Sequence, residues 1–404
     1  MKKLLLPLLG IIPLLSLAGG FQVNLQGTKQ TGMGHLGTSF HLGASSTYFN
    51  PAMMGLDTNR FGIELGVNFI TSNIEFQNSL NGISETTENP TGTPFYLYAT
   101  YKINDKLTAG LGVYTPFGSS VDWGEDWSGK HLIQDISLRA IFIQPTLSYS
   151  INDKLSFGAG LTIVDGAFEI NRALPVPIGN NATANLEGSA IAFGFNAGLH
   201  FQATEQLSIG LTHRSKVEIE LEGGDVDFTT DAALASSFPD GKFDATLPLP
   251  ATTTLGIAYK VNEKLLVSIE GSFVEWSAYK SLDFDFETET ASLKDSKNPR
   301  NYEDAMIFRA GAQYSYNEML DFRAGFYYDQ SPIQDEYFNP ETPNSDNIGL
   351  TAGLSGHITE RFGFDASFLY IIGQERDSEY KPAGFGGKYA SRSVITGIGF
   401  NYSF

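Results

Sequence analysis

The chain has 404 residues, with 26 Lys and Arg against 45 Asp and Glu and a formal net charge of -19. That balance argues against nucleic-acid binding, which depends on neutralising phosphates with cations. The absence of Cys rules out disulfide frameworks and thiolate metal centres.

Met1-Lys2-Lys3, the apolar run Leu4 to Leu17 and the small cluster Ala18-Gly19-Gly20 have the three regions of a secretory signal peptide, assigned to residues 1–19. The run is shorter than the roughly 20 residues a membrane helix needs. Residues 20–59 follow, punctuated by Gly32, Gly34, Gly37 and Gly43 and without sustained period-two alternation. Placed before the first strand, they are expected to fold back as a plug, or hatch, inside a lumen; a periplasmic extension is the alternative.

From residue 60 to 404 the pattern changes. Ile103-Asn104-Asp105-Lys106-Leu107 recurs as Ile151 to Leu155 and Val261 to Leu265, with looser versions at Ala203 to Leu207, Tyr316 to Leu320 and Ile358 to Phe362. Asn and Asp suit tight turns because their side chains bond nearby backbone. Between these six turns lie seven polar, Gly- and Pro-rich stretches: 78–92, 118–134, 172–185, 223–246, 286–302, 331–346 and 377–387. Seven hairpins joined by six short turns predict an all-β fold, a 14-stranded antiparallel transmembrane β-barrel with both ends on the short-turn side.

Alternation supports it: Val394, Thr396, Ile398, Phe400, Tyr402 and Phe404 share one face, Gly397, Gly399, Asn401 and Ser403 the other. One face suits lipid and the other a lumen. A soluble sandwich also alternates, but with shorter strands and without such regular long and short connections. Mean hydropathy of -0.11 is no obstacle, since only every second residue meets lipid, and 30 Phe and 18 Tyr supply aromatic girdles. The end Tyr402-Ser403-Phe404 resembles the signal that outer-membrane proteins present to the barrel assembly machinery. A Gram-negative outer membrane, with its lipid and lipopolysaccharide, is the expected location.

The sequence resembles the FadL/TodX family of outer-membrane transporters for long-chain fatty acids and aromatic hydrocarbons. Gly20-Phe21-Gln22 is similar to the family's mature start. Tyr48-Phe49-Asn50-Pro51-Ala52 matches the Asn-Pro-Ala motif of its hatch. Leu111 to Gly118, followed by Trp123, Trp127 and Gly129, looks like its third strand and third loop. Leu211 to Ser215, Leu247-Pro248 with Gly256, and Arg323-Ala324-Gly325 with Ser331-Pro332 resemble later segments. Gly397 departs from the usual assembly signal.

The resemblance implies a diffusion channel that needs no cofactor: capture at external loops, a pocket against the hatch, and sideways exit at a kinked third strand. Gly112, Pro116 and Gly118 suit such a kink, since Pro removes a ladder donor and Gly weakens a strand; Pro116 ending the strand is the plainer alternative. Phe117, Trp123 and Trp127 are candidates for capture, or equally for the interface girdle. Arg309 and Arg323 point inward by parity and suit a carboxylate headgroup, or lumen ion pairs with Asp321 and Asp365. The six His show no nucleophile or metal-ligand spacing, so no metal and no enzyme activity are expected. An adhesin or structural barrel is the remaining alternative. A lumen filled by its own chain makes a monomer self-sufficient.

Overall fold

The structure, a computed structural model, describes residues 20–177 and 181–404; the expected signal peptide lies outside them. The wall begins with β1 (Phe61–Asn78), β2 (Phe95–Lys102), β3 (Leu107–Asp122), β4 (Asp135–Asn152) and β5 (Leu155–Ala173). It continues through β6 (Ala182–Gln202), β7 (Leu207–Arg214 and Val217–Thr230), β8 (Gly241–Leu249 and Thr252–Asn262) and β9 (Leu265–Val274). The remaining strands are β10 (Ala305–Asn317), β11 (Leu320–Asp329), β12 (Asn347–His357), β13 (Phe362–Gly373) and β14 (Phe385–Ser403). Three shorter strands, Ser84–Thr86, Asp285–Phe286 and Arg376–Tyr380, belong to the long loops.

Each wall strand runs antiparallel to its neighbours, and β14 returns to β1 in register from Gly62↔Ser403 to Asn78↔Gly387. Phe61 and Phe404 exchange both backbone hydrogen bonds, at 2.8 and 3.0 Å. The chain is therefore a closed 14-stranded barrel. Closure matters because lipid offers no partner to an unpaired backbone group.

The six short turns share one device. Asn104, Asn152, Asn262 and Asn317 each accept two backbone N–H groups from the residues two and three positions on, and Thr204 and Thr359 do the same with a hydroxyl. A side chain thus fixes each reversal before the next strand starts.

Outward positions carry large apolar side chains open to their surroundings: Leu161 is 52 % exposed, Phe193 64 % and Leu199 49 %. A water-soluble protein does not leave a continuous apolar belt uncovered. Above the belt the outward residues turn polar, Asp165 and Glu169 on β5, Ser189 and Glu187 on β6, while the ladder continues. Several strands therefore run further than their alternation indicated: β3 extends to Asp122, where Gly118 was expected to open a loop, and β7 to Thr230.

Residues 20–59 lie inside the barrel, with short helices α1 (Thr28–Thr31) and α2 (Ser46–Phe49) and a 3-10 turn, Pro51–Leu56. They meet the wall backbone to backbone. A Cβ at Gly325 would collide with the Met33–Gly34 peptide, and one at Gly210 with the Thr38 carbonyl. Inward glycines on the wall are thus the imprint of the segment they hold. Gly325→Val is expected to displace the hatch while leaving the ladder intact, raising single-channel conductance in planar bilayers; unchanged conductance would contradict this packing.

Candidate functional site

The hatch is fastened by polar bonds to opposite sides of the wall. Glu270 on β9 accepts the N–H groups of Gly37 and Thr38 at 2.9 and 2.6 Å and the Thr38 hydroxyl at 3.1 Å. Across the lumen, Glu64 on β1 accepts the Ser45 N–H at 3.2 Å, and the Lys29 ammonium lies 3.8 Å from Asp365 on β13. The Asn-Pro-Ala motif is a third fastening. Asn50 donates to the carbonyls of Thr38 (2.7 Å) and Leu199 (3.0 Å) and accepts the Ala52 N–H (3.1 Å). Pro51 opens the 3-10 turn, and the Ala52 carbonyl accepts the hydroxyls of Ser148 and Ser156.

The wall changes character at β3. Tyr114 pairs with Phe142 and Phe117 with Ala140, so Thr115 and Pro116 together face the single residue Ile141: a β-bulge. Gly112 lies in the regular ladder before it, where a Cβ would press on the Tyr98 and Tyr114 rings. On its other edge β3 outruns β2, whose last pair with it is Tyr96↔Tyr114. The amino-terminal segment partly fills the vacancy. Val23 donates to the Pro116 carbonyl at 2.8 Å, and the Gly118 N–H donates to the Phe21 carbonyl at 3.2 Å.

Beside this bulge lies a cavity of about 660 Å³. Its inner side is the apolar cluster Leu25, Tyr327, Leu369 and Ile395, and its outer side reaches Pro94, Phe95 and Ile141 at the interrupted ladder. The lining thus joins lumen-facing to lipid-facing residues. Gln22 and Asn24 separate it from a polar recess of about 50 Å³ bordered by Asn196, Arg214, Thr252 and Arg309. Both amide atoms of Asn196, the Thr252 hydroxyl and Arg309 Nε have no partner among the described residues. A recess this small has room for roughly one or two waters, or for a polar headgroup, but not for an alkyl chain or a ring.

The two expected headgroup cations part company here. Arg309 donates to Ser272 (2.7 Å) and Asn24 (3.4 Å) at the edge of that recess. Arg323 belongs to a wall network: it donates to Gln313 and Ser355, sits 3.7 Å from Asp321, and Ser355 in turn donates to Asp365. Parity could not distinguish them, because both are inward and buried. Arg214, whose role was not legible in the sequence, stands 4.3 Å from the Tyr48 ring centre and donates to Tyr114, Gln144 and the Tyr48 carbonyl.

Phe117, Trp123 and Trp127 do not offer an open apolar surface: they are 3, 5 and 4 % exposed. Trp123 and Trp127 stack at 4.5 Å, and their indole N–H groups donate to the carbonyls of Pro340 and Ile133. Phe21 packs 4.9 Å from Trp276, 5.8 Å from Tyr279 and 6.2 Å from Phe117. Burial pushes the Tyr279 hydroxyl up to about 12, so it stays neutral. The external loops thus close over the lumen as an aromatic cap. Tyr402 sits in β14 and Phe404 directly follows it, their rings 5.9 Å apart.

A closed barrel with an apolar belt, a filled lumen and a cavity reaching the wall defines an outer-membrane transport protein. The chain matches the family Outer membrane protein transport protein (OMPP1/FadL/TodX) over residues 11–404, and belongs to it. It is 26 % identical to outer membrane protein P1 of Haemophilus influenzae, covering 93 % of this chain and 91 % of that one. It is 22 % identical to the long-chain fatty acid transport protein of Escherichia coli K12, covering 96 % and 95 %. Among solved structures, a FadL homologue of Pseudomonas aeruginosa superposes with a TM-score of 0.85 at 19 % identity, covering 96 % and 100 %. The toluene transporter TodX of Pseudomonas putida does so with 0.75 at 19 % identity, covering 96 % and 99 %.

Glu270→Ala is expected to leave two hatch N–H groups and a hydroxyl unsatisfied, each costing about 1–3 kcal/mol. Glu270→Gln keeps an acceptor. Conductance and antibiotic sensitivity should therefore rise in the Ala variant well beyond the Gln variant; equal effects would mean that Glu270 does not fasten the hatch.

Proposed function

We propose that the protein takes up hydrophobic molecules by diffusion across the outer membrane, with long-chain fatty acids as its main cargo. The observation that carries this reading is the 660 Å³ cavity whose lining runs from the lumen to the interrupted ladder at β3. Apolar burial at about 25 cal/mol per Å² makes even a short alkyl chain worth several kcal/mol there. Cargo enters as the aromatic loops around Phe117, Trp123 and Trp127 part, rests against the hatch, and leaves sideways past the Pro116 bulge into the membrane. The chain reaches the membrane through the barrel assembly machinery, which reads the Tyr402 and Phe404 end, and works there as a monomer among lipopolysaccharide.

Arg309 supports an acid over a neutral cargo. A carboxylate at Gln22 and Asn24 places its charge beside a buried guanidinium whose Nε has no partner among the described residues. A second reading, aromatic hydrocarbons, is favoured by the ring cluster of Phe21, Phe117, Trp276 and Tyr279 beside the same cavity, and relatives of both kinds are known by name.

Uptake of labelled oleate and toluene by cells with and without the protein tests the proposal. Expression should raise oleate uptake. Arg309→Ala should lower it by about tenfold, the loss of a hydrogen bond to a charged group, while sparing toluene. Equal loss of both would discard the headgroup role, and no gain on expression would discard transport.

A further inference from the structure

The ladder between β6 and β7 is paired at both ends and open in the middle. Asn196↔Arg214 is the last pair below the opening and Glu187↔Asp225 the first above it. Between them β6 has the eight residues 188–195, whereas β7 has the ten residues 215–224. Strand β7 is therefore two residues too long for the neighbour it must rejoin, about 6–7 Å of extra contour. It cannot lie flat in the wall, so it bows.

The side chains decide the direction. Val217, Ile219 and Leu221 are buried and turned inward, while Glu218, Glu220 and Glu222 alternate with them and stay exposed. Inward Gly166 on β5 and Gly194 on β6 leave room for Ile219 and Val217: a Cβ on either glycine would collide with the residue over it. Strand β8 bows in step, because Arg214↔Thr252 and Val217↔Leu249 share one register across the interruption in both strands. The result is a two-stranded tongue, residues 217–224 and 243–249, whose Phe243 also meets Phe168 of β5 at 6.0 Å.

The tongue contributes no residue to the lining of the large cavity. Cavity lining comes from β1–β4, β11–β14, the amino-terminal segment and two loops; among the described residues none between 142 and 326 contributes. We infer that the surplus of two residues in β7 is a partition, a specificity-determining element that fills the lumen beneath β5 and β6, confines cargo to the half that opens at β3 and limits its cross-section. This rests on the transport reading above.

The test is the uptake of dodecanoate and pyrenedodecanoate by cells expressing the full chain. One variant removes the surplus in both strands, deleting Ile219 and Glu220 with their partners Leu247 and Thr246; this lets β7 match β6 and keeps the alternation. A second, Val217→Ala with Ile219→Ala and Leu221→Ala, empties the partition without changing the register, and decides the matter if the deletion fails to reach the membrane. Removing the partition should raise pyrenedodecanoate uptake relative to dodecanoate by roughly tenfold, the scale of relieving a steric clash in a packed interior. The triple alanine variant should move the same way by less. An unchanged ratio with normal dodecanoate uptake overturns the partition alone. No dodecanoate uptake by the unaltered protein overturns the transport reading, and the partition with it.

Discussion

A strand in lipid has no water to satisfy its backbone, so every N–H and C=O in the wall must be bonded within the wall. That requirement forces the 14 strands to close through the long β1–β14 register. It also makes each interruption of the ladder conspicuous. At β3 the vacancy is answered by Phe21 and Val23, which supply backbone bonds that β2 is too short to give. At β7 the pairing is interrupted opposite the exposed Ile191, Phe193 and Phe195 of β6, and Glu218, Glu220 and Glu222 of β7 stand exposed there. The two departures from a plain cylinder are different in kind: a single-residue bulge that abuts a cavity, and a two-residue surplus that fills space.

Filling the lumen is the second consequence. A barrel of this size leaves a bore through which polar solutes would pass, and the hatch occupies it with buried backbone that itself needs partners. Glycines on the wall permit contact, while Glu270, Glu64 and Asn50 provide acceptors and donors. With the axis blocked and the loops packed over the top, the cavity of about 660 Å³ at β3 joins lumen-facing to lipid-facing residues. On the proposed route, apolar cargo is offered the membrane rather than the periplasm.

Much of this was legible in the sequence, and the reasons are physical. The turns could be read because one residue type in one position accepts two N–H groups, and the strands because lipid and lumen impose opposite faces. Strand ends above the belt were misjudged: there the alternation inverts, with polar residues such as Asp165, Glu169, Asp225 and Asp227 facing out and Phe168, Ile170 and Val226 buried inside, while pairing continues. Gly112 also makes room for Tyr98 and Tyr114, a packing role that no local pattern shows. The burial of Trp123 and Trp127 was not legible, because a sequence shows that a loop is aromatic, not that loops from distant parts of the chain pack on it. Arg214 stood in the segment Leu211 to Ser215 that resembled the family, but its role was not legible, since its partners Tyr48, Tyr114 and Gln144 come together only in the fold. Nor does any motif announce the surplus in β7, which appears only when two pairing registers are compared.

The central claim, sideways exit at β3, is tested most directly by deleting Pro116. Thr115 and Pro116 oppose Ile141 alone, so the deletion restores one-to-one pairing with β4 and keeps Tyr114 and Phe117 facing inward, which separates the bulge from every other feature of the site. A barrel that still folds, still binds oleate in detergent and no longer passes it into cells is the predicted result. Undiminished uptake by such a barrel would contradict the lateral route.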